Sequence, residues 1–207
     1  MTICIIGMGY VGLPLAMGVS TTYRTVGYDI DTQRIKELSD GLDVNNEFER
    51  AQFSGSEIQF TCDESDIANC SVYFVTIPTP VDSNNVPDLE PLANSCKLLS
   101  KNLEEGDIVV FESTVYPGAT EEICVPILET GSRLKFKEEF QVAYSPERIN
   151  PGDKVNTIDK INKLLAASSE EAVNLVKTIY ESFLKSEIII CETIKIAEAA
   201  KVLENTQ

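Results

Sequence analysis

The run Ile3-Cys4-Ile5-Ile6-Gly7-Met8-Gly9-Tyr10-Val11-Gly12 constrains the fold more than any other part of the chain. It reads as a buried strand, then G-x-G-x-x-G, then the start of a helix. A second strand-like run ends at Tyr28-Asp29. Each part answers a physical requirement. Gly7 permits a tight turn, Gly9 lets the backbone approach a pyrophosphate, and Gly12 lets the helix lie close to the strand. The helix amides and dipole then hold phosphates without a lysine. Asp29 would accept hydrogen bonds from a ribose diol and repel a 2′-phosphate, which selects NAD over NADP. Asp31 competes for that role, but Asp29 stands nearer the expected strand end. A structural turn with no ligand, or an FAD or S-adenosylmethionine site, would obey the same logic.

The rest of the chain repeats the alternation. Residues 71–77, 107–111, 140–144, 163–167 and 187–190 are short apolar runs that predict strands. Residues 10–20, 32–39 and 89–102 have helical spacing. Ser169 is placed to cap a helix reaching about residue 184, and Thr193 to cap a last one from about Ile194. Strands alternating with helices predict an α/β fold: a Rossmann-like, doubly wound, mainly parallel sheet with helices on both faces. Residues 81–91 and 146–157 read as loops. The final helical segment stops at Gln207 without a closing Gly, Asn or Pro, which suggests a fraying end or a fragment of a longer chain. We therefore expect a dinucleotide-binding domain over residues 1–192 and the start of a linking helix over 193–207.

Composition removes several classes of function. With 17 basic and 33 acidic residues the net charge is −16, which disfavours tracking a nucleic-acid backbone. No apolar run is long enough to span a membrane, and no basic segment precedes residues 3–6 to suggest a signal peptide. Histidine is absent, which excludes a Ser-His-Asp triad and a His-ligated zinc, and no metal site is read. The six cysteines form no C-x-x-C pair, so reduced thiols and a cytoplasmic location are expected.

In an open parallel sheet, ligands gather at the carboxyl ends of strands. Three predicted strand ends carry hydroxyls, an acid and rigid turns: Pro78-Thr79-Pro80, Glu112-Ser113-Thr114-Val115-Tyr116-Pro117-Gly118, and Ser145-Pro146-Glu147-Arg148-Ile149-Asn150-Pro151-Gly152. Any one of them is ordinary turn chemistry; together on one edge they favour a site. On the last helix, Lys201 and Asn205 are four apart and share a face, although alone this pair reads as a solvated surface.

These stretches, with Ala197-Glu198-Ala199-Ala200-Lys201-Val202-Leu203-Glu204-Asn205-Thr206, resemble the nucleotide-sugar 6-dehydrogenases of the UDP-glucose/GDP-mannose type, in the family's order and across almost the whole chain. The version from Pro146 to Lys154 is most similar to the branch acting on UDP-N-acetylhexosamines (UDP-GlcNAc or UDP-GalNAc) in capsule and surface-polysaccharide synthesis. The resemblance implies a four-electron oxidation of the sugar's C6 alcohol to the uronate. NAD takes two hydrides, and a cysteine thiolate carries a thiohemiacetal and then a thioester. It implies that Gly7, Gly9, Tyr10, Val11, Gly12, Asp29, Arg34, Pro78, Thr79 and Thr114 meet the cofactor, with Arg34 near the adenosine ribose. Thr114 would also position a catalytic water. Glu147 would be the general base for thioester hydrolysis, Lys201 would stabilise oxyanions, and Asn205 would orient the substrate. Arg148 and Asn150 would face the sugar. The implied partners are a UDP-sugar and, in the complete enzyme, a second copy forming a homodimer or larger assembly. Two departures stand out. The family's G-x-C-x-P-type nucleophile motif is missing from these residues, and Pro151 stands where part of the family has another acid. The missing motif and the unclosed helix together predict an N-terminal half that binds NAD without completing the reaction. A stand-alone NAD module and a hydroxyacid or 6-phosphogluconate-type cofactor domain are the alternatives.

Overall fold

Eight strands lie in the order β3-β2-β1-β4-β5-β6-β7-β8, all neighbours parallel except the antiparallel pair β6 and β7. They are β1 (Thr2–Ile6), β2 (Arg24–Tyr28), β3 (Ile58–Thr61), β4 (Val72–Val75), β5 (Ile108–Phe111), β6 (Gln141–Tyr144), β7 (Lys163–Ala167) and β8 (Ile188–Ile190). The helices are α1 (Gly12–Val19), α2 (Thr32–Ser39), α3 (Arg50–Phe53), α4 (Glu90–Ser100), α5 (Val125–Ser132), α6 (Glu170–Glu181) and α7 (Ile194–Asn205). This is a computed structural model, and it describes residues 1–81, 87–146 and 161–205. The expected loop over 146–157 lies almost wholly outside the described residues.

The central strands are buried on both faces, so they read as unbroken apolar runs rather than alternating ones. Alternate side chains serve two cores. Cys4, Ile6, Tyr73, Val75, Val109 and Phe111 face α4, α5 and α7. Ile3, Ile5, Phe74, Val110, Ala143 and Leu165 face α1, α2 and α6. Helix α6 shows the pattern plainly: Ala172, Val176, Ile179 and Tyr180 are buried at a helical period, and Ser169 caps it by accepting from the Ala172 amide.

Three elements depart from the expectation, the short α3 among them. Strand β3 is absent from the sequence reading because Ile58-Gln59-Phe60-Thr61 is a half-exposed edge strand with a mixed pattern. Residues 120–132 form a π-helical turn (Thr120–Cys124) running into α5, where no helix was expected. Pro126 and Gly131 argue against a helix there. The wide turn just before Pro126 accommodates its missing amide. Gly131 is required because a Cβ would lie 1.9 Å from Ser100 Oγ. The expected loop 81–91 also ends too late, since Glu90 and Pro91 already open α4.

One buried acid at the far, amino edge of the sheet gives a stability prediction. Asp107 is 5% exposed, and its carboxylate accepts from the Glu104 amide. Burial, with a smaller contribution from the Glu104 charge, pushes its carboxyl from 3.8 up to about 6. A carboxyl raised on folding carries no penalty below its unfolded value and the full penalty above its folded one, so stability falls from about pH 4 to pH 6. Asp107→Asn keeps the acceptor and removes the charge. We expect it to be more stable than the wild type at pH 7.5, by on the order of 2 kcal/mol, and equal to it near pH 4, as read by urea melts across pH.

Candidate functional site

The registers bring five strand ends to one level. Ile6 pairs with both Tyr28 and Val75, and the next residues are Gly7, Asp29 and Thr76. Glu112 and Ser145 follow on β5 and β6, their amides bonded to Val75 and Phe111 carbonyls. The order of the sheet reverses between β1 and β4, which is where such folds leave a crevice.

The turn after β1 is built as the motif requires. Gly7 has φ +96°, open to glycine and strained for other residues, and its amide donates to the Tyr28 carbonyl. A Cβ on Gly12 would stand 1.8 Å from the Gly7 carbonyl oxygen and 2.5 Å from Thr76 Oγ1. The Thr76 hydroxyl donates to the Ile6 and Gly7 carbonyls and ties β4 to the turn. By contrast, a Cβ on Gly9 would meet nothing within 4 Å, so its space opens outward. Tyr10 is exposed beside it, and Val11 is the residue preceding α1. Helix α1 begins with no side-chain cap and no acid in its first turn, leaving its positive end available to an anion.

Asp29 is held against this turn. Its Oδ2 accepts from the Met8 amide at 2.7 Å and its Oδ1 from the Asp31 amide at 3.0 Å. A carboxylate offers about four acceptor positions, so each oxygen keeps one position for a further donor. Two such positions match the two hydroxyls of a ribose diol. Asp31 is used otherwise: its Oδ1 accepts from the Gln33 and Arg34 amides and caps α2. A cleft of about 460 Å³ adjoins Asp29, walled by Gly7, Tyr28, Ile77, Pro91 and Leu98 and edged by Glu64, Asp88 and Glu90. The open space at Gly9, the uncapped α1 and the half-used Asp29 carboxylate together fit a dinucleotide.

The remaining expected residues fall in three groups. Pro78 and Thr79 follow β4; among the described residues the Thr79 hydroxyl is buried with no hydrogen-bond partner, as is that of Ser145 at the end of β6. Thr114 is exposed on the loop after β5. Lys201 is buried on α7, which packs on β6 and β7, and its Nζ lies 3.7 Å from Glu204. Asn205 is the last residue of α7. Glu147, Arg148 and Asn150 lie outside the described residues.

Arg34 stands at the glycine turn, next to the residue that Asp29 holds. It does not reach into the cleft as a free cation. Its side chain is buried, Nε donates to the Met8 carbonyl at 2.9 Å, and Nη1 lies 2.8 Å from Asp43 Oδ1.

Two further devices escaped sequence reasoning. Glu198, with no exposure, accepts from the Gly118 and Thr120 amides at 2.5 and 2.9 Å. It caps the helical segment after the β5 loop and pins α7 to that loop, which places the helix carrying Lys201 at the carboxyl edge. Glu112, at the end of β5, pairs with Lys163 Nζ at 2.9 Å and accepts from the Tyr180 hydroxyl at 2.5 Å. The only hints were an acid at a strand end and a glutamate on the same face as Lys201.

The cysteines take no visible part. Cys4, Cys70, Cys96 and Cys124 are buried and free. Burial pushes the Cys4 thiol up, and the adjoining Cys124 thiol together with burial does the same for Cys96. These two thiols are held protonated and are poor nucleophiles, whereas the hydrogen bond from Cys4 lowers the Cys70 thiol.

This edge defines a dinucleotide-binding α/β domain. Residues 1–184 match the NAD binding domain of the UDP-glucose/GDP-mannose dehydrogenase family, and the chain belongs to that family. It is 47% identical over 206 residues to a UDP-N-acetyl-D-glucosamine 6-dehydrogenase of Pseudomonas aeruginosa, covering 99% of this chain and 49% of that one. It is 43% identical over 205 residues to Protein CapL of Staphylococcus aureus, covering 99% and 48%. The structure of a UDP-D-ManNAc dehydrogenase from Pyrococcus horikoshii superposes with a TM-score of 0.90 at 32% identity, covering all of this chain and 50% of that one. The chain thus spans about half the length of the curated relatives it matches. Among the described residues, no helix is long and apolar enough to cross a membrane.

Proposed function

We propose that this chain is the NAD-binding part of a UDP-sugar 6-dehydrogenase, oxidising the C6 alcohol of a UDP-N-acetylhexosamine to the uronate in the cytoplasm, for surface-polysaccharide synthesis. The observation that carries the reading is the Asp29 carboxylate, held on Met8 with one acceptor position left on each oxygen beside an uncapped glycine turn. The names of the relatives support the sugar class.

In this reading the α1 amides, reached past Gly9, hold the diphosphate, and Asp29 holds the adenosine ribose. The chemistry NAD supplies when bound is acceptance of a hydride. Thr79 and Thr114, on neighbouring strand ends, orient the reacting end of the cofactor. Lys201 places its ammonium where negative charge develops on the C6 oxygen, a fixed cation in a largely buried setting. Asn205 and the segment carrying Glu147, Arg148 and Asn150 supply substrate contacts, with Glu147 as the base for hydrolysis. The thiolate of this scheme comes from a motif that the 207 residues do not contain. The complete enzyme works as a homodimer or larger assembly.

The test is a fluorescence titration of the chain with NADH and NADPH. We expect clear preference for NADH. Asp29→Asn should weaken NADH at least tenfold, since charge-assisted hydrogen bonds contribute about 1.5–3 kcal/mol each. Preference for NADPH, or an Asp29→Asn variant that binds NADH as the wild type does, would overturn the reading.

A further inference from the structure

The buried cation beside the dinucleotide turn raises a question that Asp29 alone does not answer. An arginine next to the ribose site is the device by which related folds accept a 2′-phosphate. Arg34 is such an arginine. It and Asp29 grip opposite ends of one residue: Asp29 accepts the Met8 amide, and Arg34 Nε donates to the Met8 carbonyl. Among the described residues neither of its buried Nη atoms makes a hydrogen bond, and Nη1 is held by charge alone. A guanidinium so placed, with donors to spare, would favour a phosphorylated ribose.

Asp43 changes the balance. Its side chain has no exposure, and its Oδ1 lies 2.8 Å from Arg34 Nη1. It is fixed from behind, Oδ2 accepting from the Glu47 and Phe48 amides at 2.9 and 3.1 Å and Oδ1 from the Asn45 amide at 3.2 Å. These bonds fold the segment after α2 around the carboxylate, so Asp43 cannot swing away from Arg34. The amides at the start of α2, a second place for an anion, are occupied by Asp31. Asp43 thus neutralises the guanidinium directly, while Asp29 and Asp31 are engaged by backbone amides of the same turn and of the start of α2.

We infer that Asp43 is a positioning residue that sets cofactor specificity: by pairing with Arg34 it holds that cation on the Met8 carbonyl and withholds it from a 2′-phosphate. The inference rests on the reading of this cleft as the dinucleotide site. It adds a determinant that touches no part of the cofactor.

The test compares NADH and NADPH binding to the wild-type chain, Asp43→Asn, Arg34→Met and the double variant, with circular dichroism to confirm folding. Asp43→Asn unmasks the guanidinium and should raise the NADPH-to-NADH affinity ratio about tenfold. Arg34→Met leaves Asp43 unpaired and should lower that ratio. In the Arg34→Met background, Asp43→Asn should no longer raise the ratio above the wild-type value. A purely structural role would weaken both nucleotides in proportion and leave the ratio unmoved, which would overturn the inference. So would a ratio raised by Asp43→Asn whether or not Arg34 is present. If Asp43→Asn does not fold, the Arg34→Met arm decides alone: a lowered ratio supports the inference, and an unchanged or raised one overturns it. Failure of the wild type to bind NADH would instead count against the dinucleotide reading.

Discussion

Gly12→Ala is expected to abolish NADH binding and to lower the thermal midpoint by about 6–12 °C, the equivalent of roughly 3 kcal/mol for a domain of this size. The added methyl would stand 1.8 Å from the Gly7 carbonyl oxygen, and that atom is backbone. It cannot rotate aside as a flexible side chain could. Relief requires α1 to retreat from the end of β1, which also breaks the Thr76 bonds to the turn. Gly9→Ala is the matched control. Its methyl meets no protein atom within 4 Å, so the fold should melt as the wild type does. Its methyl instead enters the space through which a diphosphate would approach, and NADH affinity should fall at least tenfold. Calorimetric melts and nucleotide titrations of both variants give the answer. A Gly12→Ala chain with a wild-type midpoint would show that the close approach of helix and strand is not needed.

Lys163→Met should destabilise the domain by about 3–5 kcal/mol. Lys163 and Glu112 are 4% and 0% exposed, and the ammonium also lies 4.9 Å from the centre of the Tyr180 ring. Taking away the cation leaves a carboxylate in the core without the charge opposite it. The loss therefore measures the cost of a buried carboxylate deprived of this cation more than the net contribution of the pair. The double variant Lys163→Met/Glu112→Gln tests this directly. It should recover more than half of the loss, because both charges are then gone and the Tyr180 hydroxyl still finds an acceptor. Urea melts of the single and double variants are the measurement. Additive losses would mean that the two charges stabilise the fold independently.

Where sequence and structure agree, the signal is local. The glycine turn, Asp29 at the end of β2, and helices α2 and α6 are written in spacings of a few residues, and the expected bounds of α2 match the structure. Where they part, the cause is distant or concealed. Glu112 meets Lys163 and Tyr180 across 51 and 68 positions, and no spacing announces such a pairing. Glu198 sits in Ala-Glu-Ala-Ala-Lys, which reads as a solvated helix face, yet it is fully buried because Gly118 and Thr120 need an acceptor. Gly131 and Pro126 look like helix breakers, and each is tolerated for a reason of packing or of the preceding wide turn. The resemblance places Arg34 near the adenosine ribose. Its position along the chain is right, but the partner that turns it, Asp43, lies in an irregular segment with no periodic signature.

In the proposed reading, Asp29 and the glycine turn together hold the adenosine half of NAD. A crystal structure of the chain grown with saturating NAD tests it most directly. It should show both adenosine ribose hydroxyls donating to Asp29, one to each oxygen, while Met8 and Asp31 keep their bonds to the same carboxylate and the diphosphate rests on the first amides of α1. A dinucleotide bound away from Gly9, or a ribose with no contact to Asp29, would contradict it.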